Sequence, residues 1–389
     1  MERRSKLLEI DLVRGIAILG VMMVHSTSNA TIAMKESGLY GVYNFFNIFS
    51  KIGTTSFIFL SSFVLFYNYF PQPITGARMK KFYSRRLLLV VVPYIVFSAL
   101  YFLYTWKMNG KPWDLEQLLP TFWDRLITGK AYTHLYFVFI NIQLYLLFPI
   151  LLFLFKRYRW LAASAIFVGV ALQWAFFLYN REYWQIPNRA SWAPTYFGQY
   201  FLGAWLGIYF DQIKSWIIIS KENFSKSRLA AWIVLWGVWL TAGLTDVTNY
   251  YYSRLDKTYI YTNFDRDLFW DIYTMLTPIV LMQLAFLVGG AMNRSFGLKL
   301  LRHLGMVSFG VYLLHPFVLL IYRKFPPQGG SMLVHHLWYL GGYLCAVIIS
   351  WVIVTVVSKL FKSSWILFGN VPGQLAGGSK KKEKVDVPA

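Results

Sequence analysis

Charged side chains are scarce in this 389-residue chain, since Asp, Glu, Lys and Arg together make up only 14% of it. Soluble domains contain about 25% of such residues, so the composition argues against a water-soluble protein of this length. Cys345 is the only cysteine, which excludes a scaffold of disulfides within the chain. Hydrophobic residues reach 57% and aromatic residues 20%, which excludes intrinsic disorder and suits two long membrane–water interfaces. The composition predicts a polytopic integral membrane protein.

Acidic residues are especially few, 17 against 38 Lys and Arg, which leaves a formal net charge of +21. Such a charge is common in proteins that bind nucleic acid, because Lys and Arg neutralise the phosphate backbone. Here, however, the basic residues form short clusters between apolar stretches, as cytoplasmic loops of membrane proteins do. We therefore expect membrane lipid, and no nucleic acid, as a partner.

Several motifs of soluble enzymes are missing from the sequence. It contains no Gly-rich phosphate loop, no dinucleotide-binding fingerprint and no serine-hydrolase elbow. His335 and His336 are adjacent, which is not a usual metal-ligand spacing, and no Cys or acidic residue lies near them in sequence. We expect neither a metal site nor a permanently bound cofactor.

Ten apolar stretches are long enough, or nearly so, to cross a bilayer as helices, which takes about 20 residues each. The seventh is short, and glycines at positions 198, 203 and 207 interrupt the sixth. The sequence therefore predicts an all-α protein with about ten transmembrane helices. The stretches cover residues 12–30, 44–70, 87–106, 134–155, 160–179, 196–213, 229–244, 270–292, 306–322 and 340–361.

The basic residues orient these predicted helices. If the N-terminus is cytoplasmic, the inner segments hold 24 Lys and Arg, with Lys359 near the end of the last stretch counted among them. The outer segments hold 13, with Lys51 near the start of the second stretch counted among them, and Arg14 lies at the start of the first helix. Cytoplasmic loops carry such an excess, and an even number of spans puts both ends on one side, so we expect both termini to be cytoplasmic. We divide the chain into a transmembrane domain over residues 1–370 and a basic, disordered cytoplasmic tail over 371–389.

The first predicted helix carries two ionisable residues, Arg14 and His25, a few positions after Asp11. Ionisable side chains are costly inside a membrane, so each is a functional candidate. Eleven residues of helix turn through three full turns plus about 20°, so the two side chains share one face, roughly 16 Å apart along the axis. We expect this face to line the protein interior or a hydrated cavity.

These two residue types suit transfer of a group from a phosphorylated carrier to an acceptor. A neutral imidazole, with an unperturbed pKa of about 6.5, can accept a proton from a hydroxyl group. Arginine stays charged and binds phosphate or carboxylate through a forked set of donors. Structural roles remain open at this point: His25 as a packed, hydrogen-bonded side chain, and Arg14 as a cation extending to the lipid headgroups.

The sequence around this pair resembles the opening of the acyltransferase 3 family, in which an Arg is followed eleven positions later by a His. The matching residues are 9–19, with the sequence EIDLVRGIAIL, and 24–26, with the sequence VHS. Further family-like segments follow in order. They are FIFLSSF at 57–63 with Ser62 where Gly is usual, FYSRRLL at 82–88 with Pro93, HLYF at 134–137 with Tyr136 for Trp, YFLG at 200–203 and SFGVYLLHP at 308–316.

The resemblance implies a multi-pass membrane enzyme, chiefly bacterial, that O-acylates glycans of the cell envelope or of secreted polymers. By this likeness, the co-substrate is an acyl-CoA, and acetyl-CoA is the one we expect. Arg14, Arg85 and Arg86 are candidates to bind it. The same likeness makes His25 and Arg14 the catalytic pair, with His25 as the general base. His134 and His315 lie within matching segments and are candidates for substrate binding, alongside structural roles.

Two departures from the family pattern stand out. Leu89 occupies a position where relatives often have a further Arg. Many relatives carry an extracytoplasmic hydrolase-like domain after the helices, and we expect this protein to act without one.

Two other functions stay open from the sequence. One is a transporter or flippase for a polyprenyl-linked or polysaccharide substrate, although the paired halves common in transporters are not visible. The other is a non-catalytic component of a polysaccharide export system. In each case, proteins of polysaccharide synthesis or export are the expected partners, and the bacterial cell membrane is the expected location.

Overall fold

A computed structural model describes residues 4–255, 261–292 and 294–369, and these residues contain α-helix and no β-strand. The predicted tail over 371–389 lies outside the described residues. In chain order the helices are α1 (Glu9–Thr27), α2 (Ala30–Ala33), α3 (Tyr40–Phe49), α4 (Gly53–Tyr69), α5 (Gly76–Arg86), α6 (Val92–Met108), α7 (Leu115–Ile127), α8 (Tyr136–Arg157), α9 (Arg159–Ala163), α10 (Ala165–Tyr179), α11 (Phe197–Ile217), α12 (Lys226–Arg254), α13 (Asn263–Gly289), α14 (Phe296–Met306), α15 (Ser308–Tyr322), α16 (Met332–Leu360) and α17 (Trp365–Phe368).

Seven helical segments of the described chain are long and apolar enough to cross a membrane. They are α1, α3 with α4, α5 with α6, α8, α12, α13 and α16. Helices α14 and α15 together are also long and apolar enough, and they make an eighth segment if they form one span with the 84° bend between them. The prediction of an all-α, multi-pass membrane protein is confirmed.

The remaining predicted spans are shorter or less apolar than a typical transmembrane helix. The fifth stretch contains α10, whose 15 residues cover about 22 Å, against a hydrocarbon core of about 30 Å. The sixth corresponds to α11, which has 21 residues but is less apolar than the seven segments named above. The number ten and the orientation of the termini therefore stay predictions.

Helix α1 lies at the centre of the bundle and packs against α3, α4, α13, α14, α15 and α16. Its contact with α14 is so close that a side chain at Gly305 would place a carbon 1.7 Å from the Asp11 carbonyl oxygen. Gly15 faces the Leu301 backbone in the same way. Small residues permit such approach of two backbones, as in other membrane helix pairs.

Glycines also explain how α11 pairs with α4. A Cβ atom at Gly203 would lie 2.4 Å from the Phe59 carbonyl oxygen, and one at Gly207 would lie 2.5 Å from that of Phe63. The glycines that interrupt the sixth apolar stretch thus lie within a continuous helix, where they form its contact with α4. Small residues four positions apart recur at membrane helix interfaces for this reason.

Candidate functional site

Three histidines from distant parts of the chain meet at one end of α1. The ring centroids of His25 and His315 are 5.1 Å apart, those of His134 and His315 are 5.8 Å apart, and those of His25 and His134 are 6.5 Å apart. His25 belongs to the last turn of α1, His134 lies just before α8, and His315 lies within α15. In the described part of the chain, no three His, Cys, Asp or Glu side chains converge closely enough to hold a metal ion.

Side chains from other segments hold the end of α1 that carries His25. Carbonyl groups in the last turn of a helix lack partners within that helix. Arg323 donates a hydrogen bond to the main-chain carbonyl of His25 at 2.5 Å, and Asn47 donates to that of Val24 at 3.0 Å. Arg254 in turn donates to Asn47 Oδ1 at 2.6 Å. These cations also oppose the negative end of the helix dipole, so the backbone of His25 is fixed in position.

His315 is oriented by the break in α15 at Pro316. Proline has no N–H group and interrupts the helical hydrogen bonds around it. The Tyr101 hydroxyl enters this gap, donating to the Leu313 carbonyl at 2.8 Å and accepting from the Phe317 N–H at 3.0 Å. His315 Nδ1 lies 3.2 Å from the Val311 carbonyl, so this nitrogen carries the proton. The buried Nε2 atom, which has no partner among described residues, is then a hydrogen-bond acceptor.

His134 is completely buried, yet neither ring nitrogen forms a hydrogen bond of normal geometry with a described residue. Its main chain is held, because the Tyr312 hydroxyl donates to its carbonyl oxygen. Its ring lies nearly perpendicular to the Tyr101 ring, with the centroids 5.0 Å apart. An unpaired buried polar group costs about 1–3 kcal/mol, so a side chain in this state is a candidate for binding a substrate group.

A cavity of about 470 Å³ opens beside His25, and we call it the His25 cavity. Helices α1, α4, α8, α10, α12 and α13 contribute to its wall, with the 3₁₀ turns at Arg189–Ser191 and Ala193–Tyr196. The size lies within the range of about 300–1,000 Å³ of small-molecule sites. Its lining consists of Val21, Val24, His25, Ser50, Lys51, Gly53, Thr54, Thr55, Tyr136, Phe177, Arg189, Ala190, Thr195, Tyr196, Asp246, Tyr250, Arg266, Asp267 and Trp270.

Both charged and aromatic side chains line the His25 cavity. Arg189 forms an ion pair with Asp267. Lys51 lies over the Tyr250 ring, with Nζ 4.1 Å from the centroid. The hydroxyl groups, carboxylates and cations of this lining can bind a polar molecule, while the aromatic rings supply apolar surface.

Arg14 lies at the opposite end of α1 from His25. Its Nη1 atom donates to Asp11 Oδ1 at 3.0 Å, and Lys6 Nζ lies 3.5 Å from Asp11 Oδ2. The Asp11 side chain is 3% exposed and that of Arg14 is 32% exposed, so Arg14 retains donors that a ligand can reach. Because α1 is continuous between the two residues, the predicted separation of roughly 16 Å applies.

Arg85 and Arg86 end helix α5, immediately before the π-helical turn Leu87–Val91. Arg85 is exposed, and the Arg86 guanidinium lies 4.5 Å from the centroid of the Tyr145 ring. Stacking on an aromatic ring leaves the edge donors of the guanidinium available.

A family model described as an acyltransferase domain matches residues 7–353 of this sequence, nearly the whole chain. The chain belongs to the acyltransferase 3 family. No curated protein and no solved structure matches the sequence significantly. Together with the apolar helices, the family match makes this protein a membrane acyltransferase.

Sequence reasoning missed most of the charged residues of this acyltransferase that line the His25 cavity. Lys51 carried a usable signal, because it lies inside the apolar stretch 44–70, as Arg14 and His25 lie at or within the first stretch. Asp246 lies two residues after the seventh stretch, so the cost of an ionisable side chain near the membrane also made it a candidate. Arg189 lies outside the predicted spans, where charged residues are common, so sequence alone gave no reason to choose it. Asp267 lies in the long outer loop 245–269, whose many Tyr and Asp residues suit a polar acceptor, but the sequence did not single it out within that loop.

Proposed function

We propose that this membrane acyltransferase transfers an acyl group from cytoplasmic acyl-CoA to a hydroxyl group of an envelope or exported glycan. The acyl group in this proposal is acetyl. His25 acts as the general base in this proposal. The observation that carries it is the position of His25, which lines a polar cavity and contacts two further buried histidines.

The reaction proceeds by direct transfer in this proposal. The acceptor hydroxyl gives its proton to His25 while its oxygen attacks the thioester carbonyl carbon. A carbon–oxygen bond forms, the carbon–sulfur bond breaks, and the electron pair leaves with sulfur. The imidazolium of His25 then returns the proton to the thiolate, so the products are the O-acyl glycan, free CoA thiol and neutral His25.

His134 and His315 bind the substrates next to His25 in this scheme. His315 Nε2, with its lone pair directed away from the Val311 bond, accepts a hydrogen bond from an acceptor hydroxyl. Whichever ring nitrogen of His134 is protonated can donate to the thioester oxygen, where negative charge develops during attack. The unpaired state of these nitrogens supports the assignment.

The donor approaches from the other end of α1. Arg14 is partly exposed there, and with Lys6 it gives two cations to the single carboxylate of Asp11. A net positive charge and a forked guanidinium favour phosphate groups. Arg85 and Arg86 supply further donors for the phosphates of acyl-CoA in this proposal.

The topology completes the proposal. All ten apolar segments cross the plasma membrane of a bacterium, with both termini and residues 78–86 on the cytoplasmic side. This arrangement places Arg14 near the cytoplasm and His25 beyond the membrane midplane. Proteins of polysaccharide synthesis or export are the proposed partners.

The test uses the full chain purified in detergent with acetyl-CoA and a panel of glycan fragments. We expect release of free CoA thiol that depends on the glycan, with the acetyl group recovered as an ester on the same glycan. A chain that instead carries labelled glycan across proteoliposomes without releasing thiol is a transporter, and that result contradicts the proposal.

A further inference from the structure

A second cavity, of about 570 Å³, lies beside the histidine cluster, and we call it the Lys111 cavity. Lys111, Arg125 and Lys130 all line it, and its lining includes no Asp or Glu. Trp106 and Tyr132 contribute aromatic surface. A concave site with three cations and no carboxylate is electrostatically suited to an anion.

The cations of the Lys111 cavity are not neutralised by the chain itself. Arg125 and Lys130 form no ion pair or side-chain hydrogen bond within the described residues. Lys111 instead lies over the Trp106 ring, with Nζ 4.8 Å from the centroid. Grouped like charges repel each other, and binding of an anion relieves that repulsion while adding charge-assisted hydrogen bonds.

The Lys111 cavity adjoins the His25 cavity, because Tyr136 and Ala190 line both. Tyr132 connects it to the histidines as well, since its ring centroid lies 5.7 Å from that of His134. Burial raises the pKa of the Tyr132 phenol, so this residue stays a neutral hydrogen-bond donor. One extended molecule can therefore occupy both cavities.

We propose that the Lys111 cavity binds an anionic unit of the acceptor glycan, next to the sugar whose hydroxyl lies at His25. This assignment rests on the proposed transfer to a glycan. It makes the preferred acceptor an acidic polymer, with carboxylate or phosphate groups on the neighbouring unit. The cations select the acceptor and hold it in register, and they take no part in the proton transfer.

The first experiment measures binding by calorimetry, using the full chain in nanodiscs of uncharged lipid. The probes are hyaluronan tetrasaccharide, which carries carboxylates, and chitotetraose, which is neutral. We expect the acidic probe to bind about tenfold or more tightly at low salt, with the preference shrinking as salt rises. Inorganic phosphate should compete with the acidic probe only, and weaker competition by phosphate than by glucuronate favours carboxylate as the native group.

The variant to compare is Lys111→Gln/Arg125→Gln/Lys130→Gln. Its affinity for hyaluronan tetrasaccharide should fall about tenfold or more, while its affinity for chitotetraose should change less than about twofold. The control is Lys35→Gln/Lys107→Gln/Arg181→Gln, which removes the same charge from exposed residues outside the cavity and should keep the acidic preference. Arg125→Gln alone, on an exposed helix face, serves if the triple variant does not fold.

Three results overturn this inference. Equal affinity of the wild-type chain for the two tetrasaccharides, or no binding of either, removes the basis for an acidic acceptor. Loss of acetyl-CoA affinity in the triple variant assigns the cavity to the donor. Displacement of the acidic probe by nanodiscs rich in anionic lipid assigns it to a lipid headgroup. Thiol release, measured separately, shows whether the acyl transfer itself has failed, because the binding comparison does not require turnover.

Discussion

Arg14 owes its position to Asp11, which is buried and lies one helical turn before it. Arg14→Lys keeps a cation beside this carboxylate but replaces the forked guanidinium by a single ammonium group. We expect the KM for acetyl-CoA to rise about 10- to 100-fold, since charge-assisted hydrogen bonds are involved, while the KM for the acceptor changes little. The measurement is steady-state thiol release with each substrate varied in turn.

The Arg14→Ala variant removes the cation and leaves Asp11 with Lys6 only. Its folded amount therefore has to be checked by gel filtration in detergent before its kinetics are interpreted. If acetyl-CoA affinity is unchanged in both folded variants, Arg14 does not bind the donor phosphates, and Arg85 and Arg86 become the next candidates.

At the residue scale, the sequence identified each of the three histidines as a candidate but did not predict that they lie close together. His25 stands out because an ionisable side chain in an apolar stretch is costly and calls for a reason. His134 lies just before α8 and His315 lies in α15, and only packing of these segments against α1 brings the three ring centroids within 6.5 Å of one another. The local sequence of each segment does not determine the distances between the three rings, because those distances depend on how the segments pack.

In helix α15, Pro316 interrupts the main-chain hydrogen bonds, and the Tyr101 hydroxyl bonds to the Leu313 carbonyl and the Phe317 N–H group instead. Tyr101→Phe leaves a buried carbonyl and a partly buried N–H group without this partner, so we expect it to destabilise the protein by about 1–3 kcal/mol. Transfer activity should fall as well, because His315 is held by the same helix. Thermal unfolding in detergent and the transfer rate provide the two readouts.

A double-mutant cycle separates this role from simple packing. Pro316→Ala restores an N–H group, so α15 can complete its own hydrogen bonds and depend less on Tyr101. Tyr101→Phe should then cost clearly less in the Pro316→Ala background. Equal costs in the two backgrounds would mean that Tyr101 only fills space.

At the scale of elements, apolar length predicted most helices but not their bends. The π-helical turn Leu87–Val91 and the 84° bend between α14 and α15 leave no clear mark in the hydropathy pattern. From the sequence, the glycines of α11 could either break the helix or allow a close helix contact. The structure shows the close contact, with α4. Such choices depend on the neighbouring helix, which a single sequence does not show.

The topology of the whole molecule is tested by labelling single cysteines with a membrane-impermeant thiol reagent in intact cells. Cys345→Ser gives a background without cysteine. Lys81→Cys, on exposed α5, should react only after the membrane is opened, whereas Trp113→Cys, in an exposed loop, should react from outside. Labelling of both positions from outside contradicts the orientation and, with it, the cytoplasmic route of the donor.

The account depends most on proton transfer to His25, which the acetyl-transfer rates of purified variants test directly. His25→Gln and His25→Ala should fold yet lose about 10²–10⁴-fold in rate, while His335→Gln, a histidine outside the cluster, should retain it. The wild-type rate should also fall as the pH is lowered, because a protonated imidazole cannot accept a proton, and the residual rate of His25→Gln should lack this dependence. Near wild-type transfer by a well-folded His25→Gln variant, with an unchanged pH profile, would contradict the account.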